Sequence, residues 1–220
     1  MAFNVYADNQ KKFTDILVNF GGTLTEYQSE LILQRLDHNY LEGLGHYTPY
    51  RYLMGLRNTG RLTLDKENGL VNAGRNNFGG YDKKKSEIIY CLLDLLDNPE
   101  DICSVRYNAA CDFWDFIKDG KRYCLVSFNE QNAEERVPFL ITQHESELAK
   151  MPVKAEKLRP VYIFLIEQNN KKEIEDLAFD KVAGLDISVP CILVKSRGGS
   201  PSKSPVFEYY SSNMDGGNEE

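Results

Sequence analysis

No stretch of this 220-residue sequence stays apolar for the roughly 18 to 20 residues that a membrane-crossing helix needs. Its start, MAFNVYADNQKK, lacks the basic segment and apolar run of an export leader, so a cytoplasmic protein without a membrane partner is expected. No two of the five cysteines (Cys91, Cys103, Cys111, Cys124, Cys191) stand at C-x-x-C spacing, and the three histidines are not placed to complete a zinc site. Reduced thiols are expected, with neither metal nor cofactor. Positive charge is also short. The 26 basic residues against 33 acidic ones leave a formal charge of -7, which argues against general nucleic-acid binding but leaves room for a local basic face. What remains is an ordinary composition, 42% hydrophobic and 27% charged, with enough apolar residues for one or two cores.

Periodicity divides the chain near Gly120. Phe13, Ile16, Leu17 and Phe20 fall at i, i+3, i+4, i+7 of a first helix that Gly21 and Gly22 stop. Thr23 and Glu26 form a capping-box pair opening a second helix with Leu24, Tyr27, Leu31 and Leu36. Thr48 and Pro49 start a third, bearing Leu53, Met54 and Leu56 and closed by Gly60. Thr63 is a cap for a fourth with Leu64, Leu70 and Val71. Asp82 caps a fifth, with Ile89, Leu92, Leu93 and Leu96 on one stripe. A sixth spans about Glu100 to Lys118, through Ile102, Val105, Ala109, Phe113 and Phe116. The reading is an N-terminal all-α six-helix bundle over residues 1–120, a small α/β domain over 121–196 and a flexible acidic tail over 197–220.

The segment PYRYLMGLRNTGRLTLDKENGLVNAG resembles the third and fourth helices of the death-fold superfamily, and FTDILVNFGGTLTEYQSELILQRL its first two. KKKSEIIYCLLDLLDNPEDICSVRYNAACDFWDFI is similar to the last two helices of a caspase-recruitment domain. The Arg-x-Asp-Leu signature of death effector domains is absent, since that stretch reads NNFGGYDKKK, so the branch stays open. The resemblance implies a Greek-key bundle in a non-enzymatic adaptor of cell-death or innate-immune signalling. Its implied partners are other death-fold proteins and further copies of itself.

Such domains pair oppositely charged faces. Between residues 51 and 85, eight basic side chains oppose three acidic ones, a net of +5; between 86 and 119, two oppose eight, a net of -6. The expected partner-binding residues are Arg51, Arg57, Arg61, Arg75, Lys83 and Lys84 on the basic side. On the acidic side they are Asp94, Asp97, Glu100 and Asp101. Joined head to tail, such faces give contacts that do not close.

In the last hundred residues, Tyr123–Phe128, Phe139–Thr142, Val161–Ile166 and Val189–Val194 are short apolar runs, the first, third and fourth suited to strands buried on both faces. KKEIEDLAFDKVAG between the last two is a helix. The run from VYIFLIEQNN to DISVPCILVKSRGG faintly resembles the end of a protease-associated domain, a non-catalytic insert. Chemistry is thinly signalled: HESE (His144, Glu145, Glu147) lacks a second histidine, and Cys124 and Cys191 sit inside apolar runs. SRGGSPSKSP is a flexible linker and VFEYYSSNMDGGNEE a disordered tail with a docking motif at Phe207, Tyr209 and Tyr210. Two further readings stand beside the adaptor. One is an enzyme, or inactive relative of one, centred on the α/β half; the other is a helical interaction protein unrelated to the death fold.

Overall fold

A computed structural model describes residues 2–36, 48–108, 112–148, 159–169, 171–185 and 189–211. It contains two compact units, one of Met1–Tyr107 with Gly198–Pro205, the other of Asn108–Arg197 with Val206–Glu220.

In the first unit, α1 (Ala2–Asn19) buries the expected stripe of Phe13, Ile16, Leu17 and Phe20. A short strand β1 (Thr23–Thr25) then precedes α2 (Glu26–Leu36). The capping box lies two residues later than the Thr23–Glu26 pair. Thr25 Oγ1 accepts from the Gln28 amide at 3.1 Å while Gln28 Oε1 accepts from the Thr25 amide at 3.0 Å. Thr23 is freed to pair in a sheet. Next comes α3 (Pro49–Asn58), with Pro49 in its first turn and Thr59 as C-cap.

The expected fourth helix is a hairpin. Leu62–Asp65 (β2) and Leu70–Ala73 (β3) pair antiparallel, with Leu64 opposite Val71. β1 pairs on the other side of β3, giving the order β1-β3-β2. The physical cause is the turn. Gly69 takes φ +63°, and the Asp65 carboxylate accepts from the backbone amides of Glu67 and Asn68 and from the Asn68 side chain. That side-chain bond from Asn68 is the main cause holding the Asp65 carboxyl below its ordinary pKa.

α4 (Lys83–Leu95) is capped as expected by Asp82, whose Oδ1 accepts from the Lys85 amide at 3.0 Å. α5 (Pro99–Ser104) is one short helix, not the start of one reaching Lys118. A buried polar chain ties these elements together. Gln28 Nε2 donates to the Ser86 carbonyl and hydroxyl, Thr25 Oγ1 lies 3.5 Å from the Tyr90 hydroxyl, and that hydroxyl donates to the Pro201 carbonyl at 3.0 Å. The stretch expected to be a linker is therefore ordered here, with Ser200 and Lys203 bridged to each other.

The second unit holds the larger part of a six-stranded mixed sheet. Its strands are β4 (Arg106–Asn108), β5 (Phe113–Lys118), β6 (Lys121–Phe128), β7 (Val161–Ile166), β8 (Cys191–Arg197) and β9 (Val206–Ser211), in that order. β6, β7 and β8 are parallel, while β5 and β9 flank them antiparallel. The parallel steps are made by α6 (Ala133–Leu148) and α7 (Lys172–Ala183). The apolar run Phe139–Thr142 belongs to α6. Ala133, Val137 and Leu140 of α6 and Ala178 and Val182 of α7 share one core with Cys124, Val126, Phe128, Tyr162, Phe164 and Ile166. The alternate residues Leu125, Ile163, Leu165 and Val194 are buried too, as strands covered on both faces require.

The six-helix bundle and the death-fold assignment are thus overturned: the chain carries a three-stranded antiparallel sheet and a six-stranded mixed one among seven described helices. Phe113 and Phe116 lie on β5, and Asp119–Gly120 turns that strand straight into β6 with both φ values positive. Val206–Ser211 pairs with β8 and is no disordered tail. Cys111, Ala109, residues 212–220 and the side chains of His144 and Glu147 lie outside the described residues.

Candidate nucleic-acid interface

α3 has two unlike faces. Pro49, Tyr52, Leu53 and Leu56 are buried, whereas Tyr50, Arg51, Arg57 and Asn58 are exposed, Tyr50 to 60%. At about 100° per residue the exposed set spans an arc of about 120°. The buried face is held by α1. The Tyr6 ring stacks on Tyr52 with centroids 4.7 Å apart, and its hydroxyl donates to the Arg51 carbonyl at 3.2 Å. Gly55 permits the approach, since a Cβ there would meet Gln10 Nε2 at 2.7 Å and the Tyr6 hydroxyl still closer. α3 also packs against α2 and β2.

Three arginines gather where α3 ends. Arg57 is in its last turn, and Arg61 follows the cap, its carbonyl accepting from the Gly74 amide at 2.8 Å. The Arg75 methylenes lie beside Gly60, 3.6 Å from where a Cβ would stand. All three side chains are exposed, as is Lys66 in the β2–β3 turn.

The segment after β3 is pinned to the hairpin. Thr63 Oγ1 donates to the Gly74 carbonyl at 2.9 Å and accepts from the Asn77 amide at 3.2 Å. Asn77 Nδ2 donates to the Ala73 carbonyl at 2.9 Å, and the Gly79 amide donates to Asn72 Oδ1 at 3.1 Å. Asn72 Oδ1 also accepts from Thr23 Oγ1 at 2.8 Å.

The remaining charged candidates are placed apart from this face. Lys83 is exposed and Lys84 half-buried in the first turn of α4. Their neighbour Lys85 donates to the Gly21 carbonyl at 2.8 Å, and burial lowers its pKa against the pull of Asp82. Asp94 and Asp97 are exposed at the end of α4, where both oppose the burial that lowers the Arg35 pKa. Glu100 and Asp101 sit in the first turn of α5, where acidic groups complement the helix dipole.

A cavity of about 200 Å³ in the same unit is bounded by β1, Gln28, Leu70, Tyr81, Asp82, Lys85, Ser86 and Ile89. Its Gln28, Thr25 and Ser86 groups bond one another.

In the second unit, Cys124 and Cys191 are buried core thiols, and Glu145 accepts from Arg159 at 3.1 Å. The Arg122 guanidinium grips the Asp115 carboxylate through both Nε and Nη2, with contacts of 2.6 to 3.0 Å, and this bond raises its pKa. Among the described residues no group of three His, Cys, Asp or Glu side chains is placed to hold a metal, and no helix is long and apolar enough to cross a membrane.

Sequence reasoning named the arginines but not Tyr50, Asn58 or Phe78. The signal for them was Asn68-Gly69 between LTLD and LVNA, a hairpin turn sequence that ends the helical reading at Gly60. No family model, curated protein or solved structure matches this chain.

Proposed function

We propose that this protein binds double-stranded DNA, with α3 lying in the major groove and the β2–β3 hairpin flanking it. The carrying observation is the exposed face of α3, with Tyr50, Arg51, Arg57 and Asn58 presented by a helix whose other face is buried. The packing supports the reading: α3 packs against α2 and is followed closely by an antiparallel hairpin that can flank it on the duplex. A B-form major groove admits an α-helix, and arginine and asparagine suit guanine and adenine edges there. The deep, narrow major groove of A-form RNA does not admit one. The formal charge of -7 is compatible, because the 51–85 segment carries a local net charge of +5. The protein is then a binding module.

Fluorescence anisotropy of a labelled duplex of about 30 base pairs, titrated with the full chain at low salt, tests the proposal. Binding that double-stranded RNA does not compete away, and that Arg57→Glu with Arg61→Glu abolishes, is expected. An anisotropy that stays flat up to about 200 µM protein, beyond the weak end of the non-specific range, would overturn it.

A further inference from the structure

Phe78 is the most exposed of the large apolar side chains on the described surface, at 68%. Single exposed apolar residues are common and need no explanation by themselves. This one differs in its mounting. The residues on either side of it are bound to the β2–β3 hairpin: Asn77 through its backbone amide to Thr63 and its side chain to the Ala73 carbonyl, and Gly79 through its amide to Asn72. Gly79 is pressed in so closely that a Cβ would stand 2.7 Å from Asn72 Oδ1 and nearer still to Thr23 Oγ1. Asn76 adopts φ +55°, which turns the chain sharply before the ring. The backbone is thereby fixed while the ring is held out into water.

The company of the ring gives it a chemistry. Arg75, Asn76 and Asn77 precede it, and Arg75 leans on Gly60 at the end of α3, next to Arg57 and Arg61. A cationic and amide-bearing stretch leading to one rigid apolar wedge is the equipment with which proteins read and open the minor groove. A helix in the major groove places its flanking segments beside the adjacent minor groove.

We infer that Phe78 is a wedge that enters the minor groove of bound DNA and partly unstacks one base step, with Arg75 on the neighbouring phosphates or base edges. This rests on the DNA-binding reading above. It adds bending of the duplex and a preference for easily unstacked pyrimidine–purine steps.

The test uses the full chain and a duplex labelled at both ends, with 2-aminopurine beside a central TA step. Binding is followed by anisotropy, end-to-end distance by energy transfer, and unstacking by 2-aminopurine emission. The wild-type chain is expected to shorten the end-to-end distance and brighten the 2-aminopurine. Phe78→Ala is expected to lose both signals and about tenfold in affinity while keeping its melting temperature, and Phe78→Leu to recover them. Tight binding with an unchanged distance and dark 2-aminopurine overturns the wedge and leaves DNA binding standing. The same holds if Phe78→Ala behaves as wild type. Absence of any binding by the wild-type chain overturns both.

Discussion

Arg35 Nη2, in the last turn of α2, donates to the carbonyl oxygen of Leu93 at 2.8 Å, in the last turn of α4. The final carbonyls of a helix lack intrahelical donors, so a cation here satisfies an acceptor and complements the dipole at once. Asp94 and Asp97 favour its charge against burial. Two residues expected to contact partners thus help hold a structural cation. Arg35→Ala should lower the unfolding free energy by about 1–3 kcal/mol in urea titrations. Asp94→Asn or Asp97→Asn, both at the surface, should cost less than about 1 kcal/mol. An unchanged midpoint in Arg35→Ala would mean that water serves Leu93 equally well.

Two glycines should fail for different reasons. At Gly79 an added methyl would intrude on the bonded pair of Thr23 Oγ1 and Asn72 Oδ1, and Asn72 is fully buried. Gly79→Ala should cost about 1–3 kcal/mol through crowding and lost hydrogen bonding. Gly120 has open space around it but sits at φ +72°, so Gly120→Ala should cost about 1–2 kcal/mol from backbone conformation alone. Thr23→Ala, which removes the crowded Oγ1, should partly rescue the first variant and leave the second unmoved. Equal behaviour of both in that background would refute the distinction.

Salt should report how many arginines meet phosphates. If Arg51, Arg57, Arg61 and Arg75 each neutralise one, log K should fall against log salt with a slope of about -4. Arg57→Ala combined with Arg61→Ala should bring it to about -2. A slope near zero in the wild-type chain would place its affinity elsewhere than on the basic face.

Alkali should destabilise the protein through two buried phenols. Burial is the main cause raising both the Tyr162 and the Tyr90 pKa; a hydrogen bond with Thr25 pulls Tyr90 the other way. Unfolded tyrosines ionise near about pH 10, while these two keep their protons in the fold. A raised folded pKa means that the contribution is intact below about pH 10 and is lost as pH climbs toward the folded value. Denaturation midpoints should hold from about pH 8 to 9.5 and then drop, and Tyr162→Phe should soften the drop. An equally steep fall in that variant would discount Tyr162.

Much of the fold could be read from spacing where one cue dominated. The stripe of Phe13, Ile16, Leu17 and Phe20, the Asp82 cap, and the apolar runs Cys124–Phe128 and Tyr162–Ile166 each admitted one period. Misreading came where short apolar segments fit two. Leu64, Leu70 and Val71 suit a helix stripe or two paired strands, and only the Asn68-Gly69 turn decides between them. Likewise Ile102, Val105, Phe113 and Phe116 fall at helical intervals, yet Asp119-Gly120 commits the last two to a hairpin. Arg57, Arg61 and Arg75 were visible as charge, but their meeting at the end of α3 depends on Gly74 pairing with Arg61 across the hairpin. That contact is tertiary, and no local pattern announces it.

The segment Gly198–Pro205 belongs with the first unit although it comes after almost all of the second. Synthesis runs from the N-terminus, so α4 can form long before the carbonyls of Ser200 and Pro201 exist. Until then Tyr90 must hold its hydroxyl without them. The first unit is thus the earlier to begin but stays open until residue 205 has been made, and a nascent chain stalled between residues 107 and 198 would carry α4 without its last hydrogen-bond acceptors.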